Sequence, residues 1–383
     1  MKVLFLTLLL INAMNFKFNI QKQEIYTLNE AEKTKYPKNW AYRYSFGKVG
    51  EDPIERGNSP NARTHIYGAS MNKPILAFVN LILAREYEQG KGKKKIRALS
   101  PEELDRVIAY TKKSNWSNKV NRALSKAWPN YRKYRANDPE VKSGAKKVGQ
   151  KSNYPISAAD KKYYDKTSKE IGVNHREARE VLERFGLAKD LPAVSWGHNR
   201  QSPEGYGKFM SLLVNFENDP NSEYHSEAKT ILKHVRKRQG GYPGVGLQNH
   251  LNKQLEKEGW GKNLITSMYG KGGKTTISGT RTLNYSVVIN DKYVLTIYGQ
   301  SPEGAKSHDD MRKYMHKLSL GIIKKNLKVD SGGALMARTA SETIKIPGAR
   351  GAPAYEKYRR QALDAGFDPD NLSREQRTFL SYA

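Results

Sequence analysis

The chain has 383 residues, enough to bury a sizeable core in one large domain or two ordinary ones. Lysine and arginine total 67 against 38 acidic residues, a net charge of +29. A field this strong favours polyanionic surroundings, namely nucleic acid, anionic lipid or an acidic cell-wall polymer. Cysteine is absent, which excludes disulfides, thiolate zinc sites and cysteine nucleophiles. The eight histidines show no metal-ligand spacing, so we expect neither a metal nor a cofactor.

The N-terminus resembles a short secretory signal. Met1 and Lys2 precede an apolar run from Val3 to Ile11, which is too short to span a bilayer. A buried N-terminal strand or helix is the alternative. If residues 1–25 are a leader, the protein is periplasmic or secreted, with no transmembrane span.

In the first half of the chain, a strand and several helices are predicted. Residues 40–48 alternate aromatic and polar side chains, which is typical of a half-buried strand. Residues 74–89 predict a buried helix, with Pro74 in its first turn and a glycine after its end. Ser100 and Glu103 form a capping box that opens a helix over 101–112. Residues 126–165 are polar, basic and tyrosine-rich, and we interpret them as a surface insertion.

The second half predicts further helices and then a sheet. Helices are predicted over 176–186 and from Ser202-Pro203 onward. Residues 263–299 contain three β-rich stretches, with a glycine-rich turn after the first and an Asn290-Asp291 turn after the second, which predicts an antiparallel meander. Ser301-Pro302 then opens a last helix to about residue 325. Strands at both ends with helices between them indicate an α+β fold in which the two ends share one sheet.

Four Ser-x-x-Lys matches occur, beginning at Ser45, Ser70, Ser143 and Ser226. The spacing places the lysine one helical turn after the serine, on the same face. A buried lysine loses part of its preference for the charged form, so it can accept the serine proton. Only Ser70 stands at the start of a buried helix, where the helix N-terminus adds positive potential and backbone amides. Ser70 and Lys73 are therefore the candidate nucleophile and base.

A second segment, Lys271-Gly272-Gly273 with Thr280-Arg281 following, resembles the Lys-Thr/Ser-Gly signature and the later arginine of the penicillin-recognising serine hydrolases, the class A β-lactamases and D-Ala-D-Ala peptidases. The resemblance covers residues 40–325. It implies a β-lactamase/transpeptidase-like fold, with an antiparallel five-stranded sheet flanked by helices and an all-α subdomain over about 75–235. It also implies that Lys271 and Arg281 bind a substrate carboxylate, and that the amides of Ser70 and Lys274 hold the oxyanion. Gly272 departs from the family, because it replaces a hydroxyl residue.

The middle signature of that family, Ser-x-Asn or Tyr-x-Asn, is present only in a shifted register. The chain reads Lys113-Ser114-Asn115-Trp116-Ser117-Asn118. The resemblance makes Ser114 the candidate proton shuttle and either Asn115 or Asn118 the substrate-facing amide. Ser117 is alternatively a helix cap.

The resemblance also implies slow deacylation. Class A β-lactamases activate the deacylating water with a glutamate, but Asp190 is the only acid between Leu187 and Ser202. Glu170 and Asn174 copy the spacing of that glutamate motif, yet they precede the helix at 176–186.

Three functions follow as hypotheses. The first is a serine acyl-enzyme hydrolase or transferase of the DD-peptidase type, which acts on D-Ala-D-Ala-like peptides of peptidoglycan or on β-lactams. The second is a catalytically inactive cell-wall-binding or structural protein that keeps the fold. The third is nucleic-acid binding through the basic insertion at 126–165. We assign residues 26–326 to the catalytic domain and 327–383 to a C-terminal helical appendix.

Overall fold

The computed structural model describes residues 40–59, 62, 65–92, 94–109, 120, 123–124, 166–191, 200–237, 243–277, 280–301, 308–330 and 332–337. The predicted leader, the middle signature, the insertion at 126–165 and the chain after residue 337 lie outside these residues. The chain divides into two compact units between Ile322 and Ile323, and each is described by itself.

The first unit is built on a five-stranded antiparallel sheet. The strands of this sheet are β1 (Ala41–Lys48), β2 (Glu55–Asn58), β5 (Met268–Ile277), β6 (Thr280–Ile289) and β7 (Tyr293–Ser301). A small separate ladder contains β3 (Ile66–Tyr67) and β4 (Arg200–Gln201). The sheet order is β2-β1-β7-β6-β5, and β3 pairs with β4 in the separate ladder. Because β1 pairs antiparallel with β7, the two ends of the unit share one sheet, as the sequence predicts.

Helices fill the sequence between the strands of the sheet and follow its last strand. They are α1 (Asn72–Glu88), α2 (Pro101–Leu104), α3 (His175–Arg184), α4 (Pro203–Asn218), α5 (His225–Lys237), α6 (Gly244–Lys257) and α7 (His308–Asn326). Ser100 and Glu103 form the predicted capping box of α2, and Asn174 forms another with Glu177 at α3. The Ser202 hydroxyl accepts a hydrogen bond from the Gly205 amide and caps α4. The predicted α+β fold class is confirmed.

The hydrophobic core surrounds α1. Along this helix Ile75, Phe78, Val79 and Ile82 are all 2% exposed or less. Side chains of α3, α4 and α5 join the same cluster of buried residues. A helix buried on most of its circumference holds its first turn rigidly, because each buried aliphatic or aromatic side chain contributes about 1.5–3 kcal/mol.

A polar row crosses the sheet between the apolar rows. Lys271, Ser286, Thr296 and Ser45 are successive cross-strand neighbours on β5, β6, β7 and β1, and all are buried. The Ser286 and Thr296 hydroxyls are 2.7 Å apart and hydrogen-bonded. Helix α4 covers this row at close range: a Cβ on Gly207 would lie 3.2 Å from Thr296 Oγ1.

The glycine-rich segment of the meander is strand rather than the predicted turn. The predicted strand at residues 264–270 begins later, at Met268, and continues through the glycines to residue 277. The physical reason is close packing: a Cβ on Gly270 would overlap the backbone of Ser286, and one on Gly273 would press on Gly68. The second predicted turn is confirmed, because Asn290 and Asp291 both have left-handed backbone angles.

Ser301, predicted to open the last helix, is the final residue of β7, and α7 is described from His308, after residues 302–307, which lie outside the described chain. One helix differs from the prediction. The helix predicted over 101–112 is an α-turn that changes to a π-helical segment at Asp105–Ala109. Residues 110–112 lie outside the described chain.

The second unit contains the end of α7 and a hairpin of β8 (Leu327–Val329) and β9 (Leu335–Ala337). One carboxylate oxygen of Asp330 accepts hydrogen bonds from the Gly332 and Ala334 amides, which closes the hairpin turn. Among the described helices of both units, none has the length and apolar character needed to cross a membrane.

Candidate active site

Ser70 lies in a short 3₁₀ turn, Ala69–Met71, that joins β3 to α1. The turn closes with a hydrogen bond of 3.0 Å from the Met71 amide to the Gly68 carbonyl. Ala69 has φ 50°, in the left-handed region, which costs a residue with a Cβ about 1–2 kcal/mol. Strained backbone of this kind clusters at functional sites. Ser70 is half-buried, whereas Ala69 and Met71 on either side of it are buried.

Lys73 lies in the first turn of α1 and is only 1% exposed. Residues three positions apart on a helix have Cβ atoms about 5–6 Å apart, so Lys73 is a neighbour of Ser70 on one face. Removing an ammonium group from water disfavours its charged form. Ser70 and Lys73 therefore lie on one continuous segment of backbone, the 3₁₀ turn and the first turn of α1, and their action as a nucleophile–base pair stays a prediction.

Edge strand β5 packs directly against the serine turn. A Cβ on Gly273 would lie 2.5 Å from the Gly68 carbonyl oxygen and 3.0 Å from the Ser70 nitrogen. Only a residue without a side chain lets two backbones approach this closely. The structure thus brings Gly273, and with it the adjacent Lys274, to the amide of Ser70. The side chain of Lys274 is exposed.

Lys271 is fully buried on the same strand, and its Nζ donates a hydrogen bond of 3.1 Å to the Gly272 carbonyl. Because side chains alternate along a strand, Lys271 shares the face of Gly273, which is the face toward the serine turn. Gly272 occupies the alternate position. The predicted triplet of residues 271–273 therefore lies beside Ser70, with the lysine on the inner face.

Thr280 and Arg281 lie at the opposite end of the β5–β6 hairpin. Arg281 is paired with Thr276, five positions along β5 from Lys271, which corresponds to about 17 Å of strand. Cross-strand partners share a face, so Arg281 and Lys271 are on opposite faces. The register therefore separates the backbone positions of Lys271 and Arg281, and the carboxylate contact that the resemblance implies for both side chains stays a prediction.

The middle signature cannot be placed in the site. Ser114, Asn115 and Asn118 lie outside the described residues, and so do residues 192–199 of the segment before Ser202. The roles predicted for these three residues stay predictions.

The π-helical segment at Asp105–Ala109, which precedes the middle signature in the chain, is anchored to α5. The Asp105 carboxylate lies 2.5 Å from His234 Nδ1 and accepts from Lys237 Nζ at 3.0 Å. Burial raises the pKa of Asp105, but the hydrogen bonds from Lys237 and His234 together hold it below its usual value. Burial lowers the pKa of His234.

The acids proposed to match a deacylating glutamate have other partners. Asp190 accepts a hydrogen bond of 2.8 Å from the Ser202 hydroxyl. Glu170 lies 3.5 Å from Arg97 Nε, and Asn174 caps α3. These contacts stabilise the fold around α3 and α4.

Sequence reasoning missed a set of buried amides and a tyrosine around the serine turn: Asn72, Gln201, Asn284 and Tyr298. The Asn284 side-chain amide donates 2.6 Å to the Tyr67 carbonyl, immediately before Gly68. Of these four residues, only Asn284 could have been found from the sequence, because it is a polar residue flanked by apolar ones in the stretch that forms β6. Among the described residues no group of three His, Cys, Asp or Glu side chains could hold a metal ion.

No protein-family model matches this sequence, and a search of curated proteins finds no match. Among solved structures, the chain is similar to a beta-lactamase from Sphaerobacter thermophilus DSM 20745, with 11% identity, 78% of this chain and 95% of that chain covered, and a TM-score of 0.40. It is similar to TLA-3 extended-spectrum beta-lactamase at 10% identity, with 78% and 98% covered and a TM-score of 0.40.

A structure titled PBP-A gives 10% identity, 78% and 96% coverage and a TM-score of 0.39. Similarity at this level does not carry an activity from one protein to another, so the chemistry below rests on the residues of this chain. The fold class therefore rests on the five-stranded antiparallel sheet and the helices of the chain itself, and the family suggested by Ser70–Lys73 and Lys271–Gly273 stays a resemblance of sequence.

Proposed function

We propose that the protein is a serine hydrolase or acyltransferase that forms an acyl-enzyme at Ser70. One observation carries this proposal: Ser70 stands on a strained turn, with Lys73 buried one helical turn later and the backbone of β5 against its amide. These are the three parts that covalent acyl transfer requires, namely a nucleophile, an adjacent base and backbone donors for a developing oxyanion.

Acylation of Ser70 is proposed to take place in two steps. Ser70 Oγ attacks the acyl carbon while its proton passes to Lys73 Nζ, and the carbonyl oxygen becomes an oxyanion that the amides of Ser70 and Lys274 stabilise. Collapse of this intermediate breaks the bond to the leaving nitrogen, which takes a proton, and leaves an ester on Ser70. One backbone donor of this kind is worth about 100–1,000-fold in rate.

The proposed substrates are D-Ala-D-Ala-like peptides or β-lactams. Lys271 lies on the inner face of β5 and supplies an Nζ hydrogen-bond donor toward a substrate carboxylate. Ser114 relays a proton to the leaving amine, and Asn115 or Asn118 contacts the substrate amide. Because Asp190 and Glu170 have other partners, we expect the ester to lose its acyl group slowly.

Intact-protein mass after incubation with a penicillin tests this proposal. We expect an adduct of one penicillin on the wild type, slow loss of that adduct, and no adduct on Ser70→Ala. Ser226→Ala is the matched control, because Ser226 begins another Ser-x-x-Lys motif but is exposed on α5. An adduct that persists in Ser70→Ala would contradict the assigned nucleophile.

If no β-lactam gives an adduct, the acyl-enzyme proposal is wrong. Saturable peptidoglycan binding that is equal in the wild type and Ser70→Ala would then favour the second hypothesis, a cell-wall-binding protein without catalysis.

A further inference from the structure

Three buried polar side chains form a hydrogen-bonded chain beneath the serine turn, and the proposed reaction uses none of them. Tyr298 on β7 donates 3.0 Å to Gln201 Oε1, and Gln201 Nε2 donates 3.1 Å to Asn72 Oδ1. All three residues are fully buried. Burying a polar group without a hydrogen-bond partner lowers the free energy of unfolding. Removing any one of the three side chains would therefore leave another without its partner.

The side chain of Gln201 suits its place between two partners because an amide both accepts and donates. Burial raises the pKa of Tyr298 well above its usual value, so the phenol keeps its proton and acts as the donor. The Gln201 oxygen is thereby committed to Tyr298, which leaves its NH₂ group for Asn72. Tyr298 thus sets the orientation of the amide.

Gln201 contacts the serine turn on both sides of Ser70. On one side, a Cβ on Gly68 would overlap Gln201 Oε1, so the amide occupies the space that a side chain at 68 would fill. On the other side, the amide is bonded to Asn72, the first residue of α1. Ser70 lies midway between these two contacts, next to the left-handed Ala69. The backbone of Gln201 is also paired with Ile66 in the β3–β4 ladder.

We propose that Gln201 is a positioning residue that fixes the conformation of the turn carrying Ser70. This inference rests on the proposed function, since it concerns the rate at which Ser70 is acylated. Gln201 contacts Gly68 and Asn72, the residues that flank the turn, and acts on Ser70 through them. A misplacement of a reacting group by about 1 Å lowers a rate by up to about 100-fold.

The test compares Gln201→Met with Asn80→Leu. Methionine keeps the volume of glutamine and removes both hydrogen bonds. Asn80 is a matched control: it is also fully buried, lies on α1, and makes three hydrogen bonds to the backbone of Arg97, Ile171 and Leu99. The readout is the rate of acylation by penicillin per folded molecule, with the folded fraction measured in parallel.

We expect Gln201→Met to be acylated about 10–100-fold more slowly than the wild type, and Asn80→Leu to be acylated at the wild-type rate although it is less stable. Tyr298→Phe, which removes only the donor that orients the amide, should give a smaller loss. Equal rates for Gln201→Met and Asn80→Leu would overturn the proposal.

Hydrogen exchange separates this inference from the proposed function. If the wild type forms no adduct, the acyl-enzyme proposal fails. Hydrogen exchange at the amides of residues 68–72 still measures how firmly the backbone of the serine turn is held. Faster exchange there in Gln201→Met and not in Asn80→Leu supports the positioning role. Unchanged exchange in both variants refutes it.

Discussion

Replacing Gly273 by alanine tests how closely β5 approaches the serine turn. The new methyl carbon would lie 2.5 Å from the Gly68 oxygen and 3.0 Å from the Ser70 nitrogen. Ordinary van der Waals contact begins near 3.4 Å, so the nearer contact has to lengthen by about 0.9 Å. Both neighbours are backbone atoms, so movement of the Met71 side chain, which the methyl group would also meet, cannot relieve these two contacts. The strand and the turn therefore have to separate.

This separation sets the size of the expected effects. Forcing one extra methyl group into a packed site lowers the free energy of unfolding by about 1–3 kcal/mol. A shift of nearly 1 Å between Ser70 and the amide of Lys274 lowers the acylation rate by about 100-fold. The loss of rate should therefore persist after correction for the folded fraction.

The measurements are denaturant unfolding and the time course of penicillin acylation by intact mass. Gly246→Ala is the control, because that glycine is exposed on α6 and its Cβ would meet nothing within 4 Å. We expect alanine there to raise the free energy of unfolding by about 0.5–1 kcal/mol. Wild-type stability and wild-type acylation in Gly273→Ala would refute the close approach of β5 to Ser70.

Two further predictions concern stability. Burial, with smaller contributions from His250 and Arg312, lowers the pKa of His316 to about 4 from an ordinary 6.5. The unfolded chain then binds more protons between these pH values, so the wild type should lose about 1 kcal/mol more than His316→Gln between pH 7 and pH 5, measured by urea unfolding. Arg236→Ala removes two hydrogen bonds of 2.5 and 2.6 Å to Glu217 and should lower the free energy of unfolding by about 1–2 kcal/mol. Arg236→Lys should restore only part of this loss. Equal stability of the wild type and both variants would contradict the prediction.

Local signals predicted the elements whose formation depends on nearby residues. Helix α1 followed from Pro74 and the spacing of its apolar side chains, and the capping box at Ser100 located the start of α2. The placement of Ser70 at the start of a buried helix followed from the same pattern. Such signals are short-range, so the sequence carries them without reference to the rest of the fold.

The errors arose where distant segments meet. The glycine-rich stretch that follows Gly270 predicts a turn, because a glycine required by a neighbouring backbone has the same sequence signature as one required by a turn. The resemblance implies a shared carboxylate role for Lys271 and Arg281, but the strand register sets the distance between their backbones, and no local signal predicts that register. Gln201 was missed because its partners lie 97 and 129 residues away.

The buried hydroxyls of Ser286 and Thr296 determine which alignment of β6 and β7 the sheet can adopt. Their neighbours Val287, Val288 and Leu295 are apolar and would pack comparably in several alignments. A slip of two residues would preserve which face is buried but would separate the two hydroxyls. In one direction Ser286 would then face Val294, and in the other Thr296 would face Val288, so one hydroxyl would lose its partner at a cost of about 1–3 kcal/mol.

The polar row thus disfavours slipped alignments of the sheet. A slip at β6 would also displace β5, and with it the backbone that lies against Ser70. The hydrogen bond between two hydroxyls in the middle of the sheet therefore selects the one alignment in which the edge strand meets the serine turn.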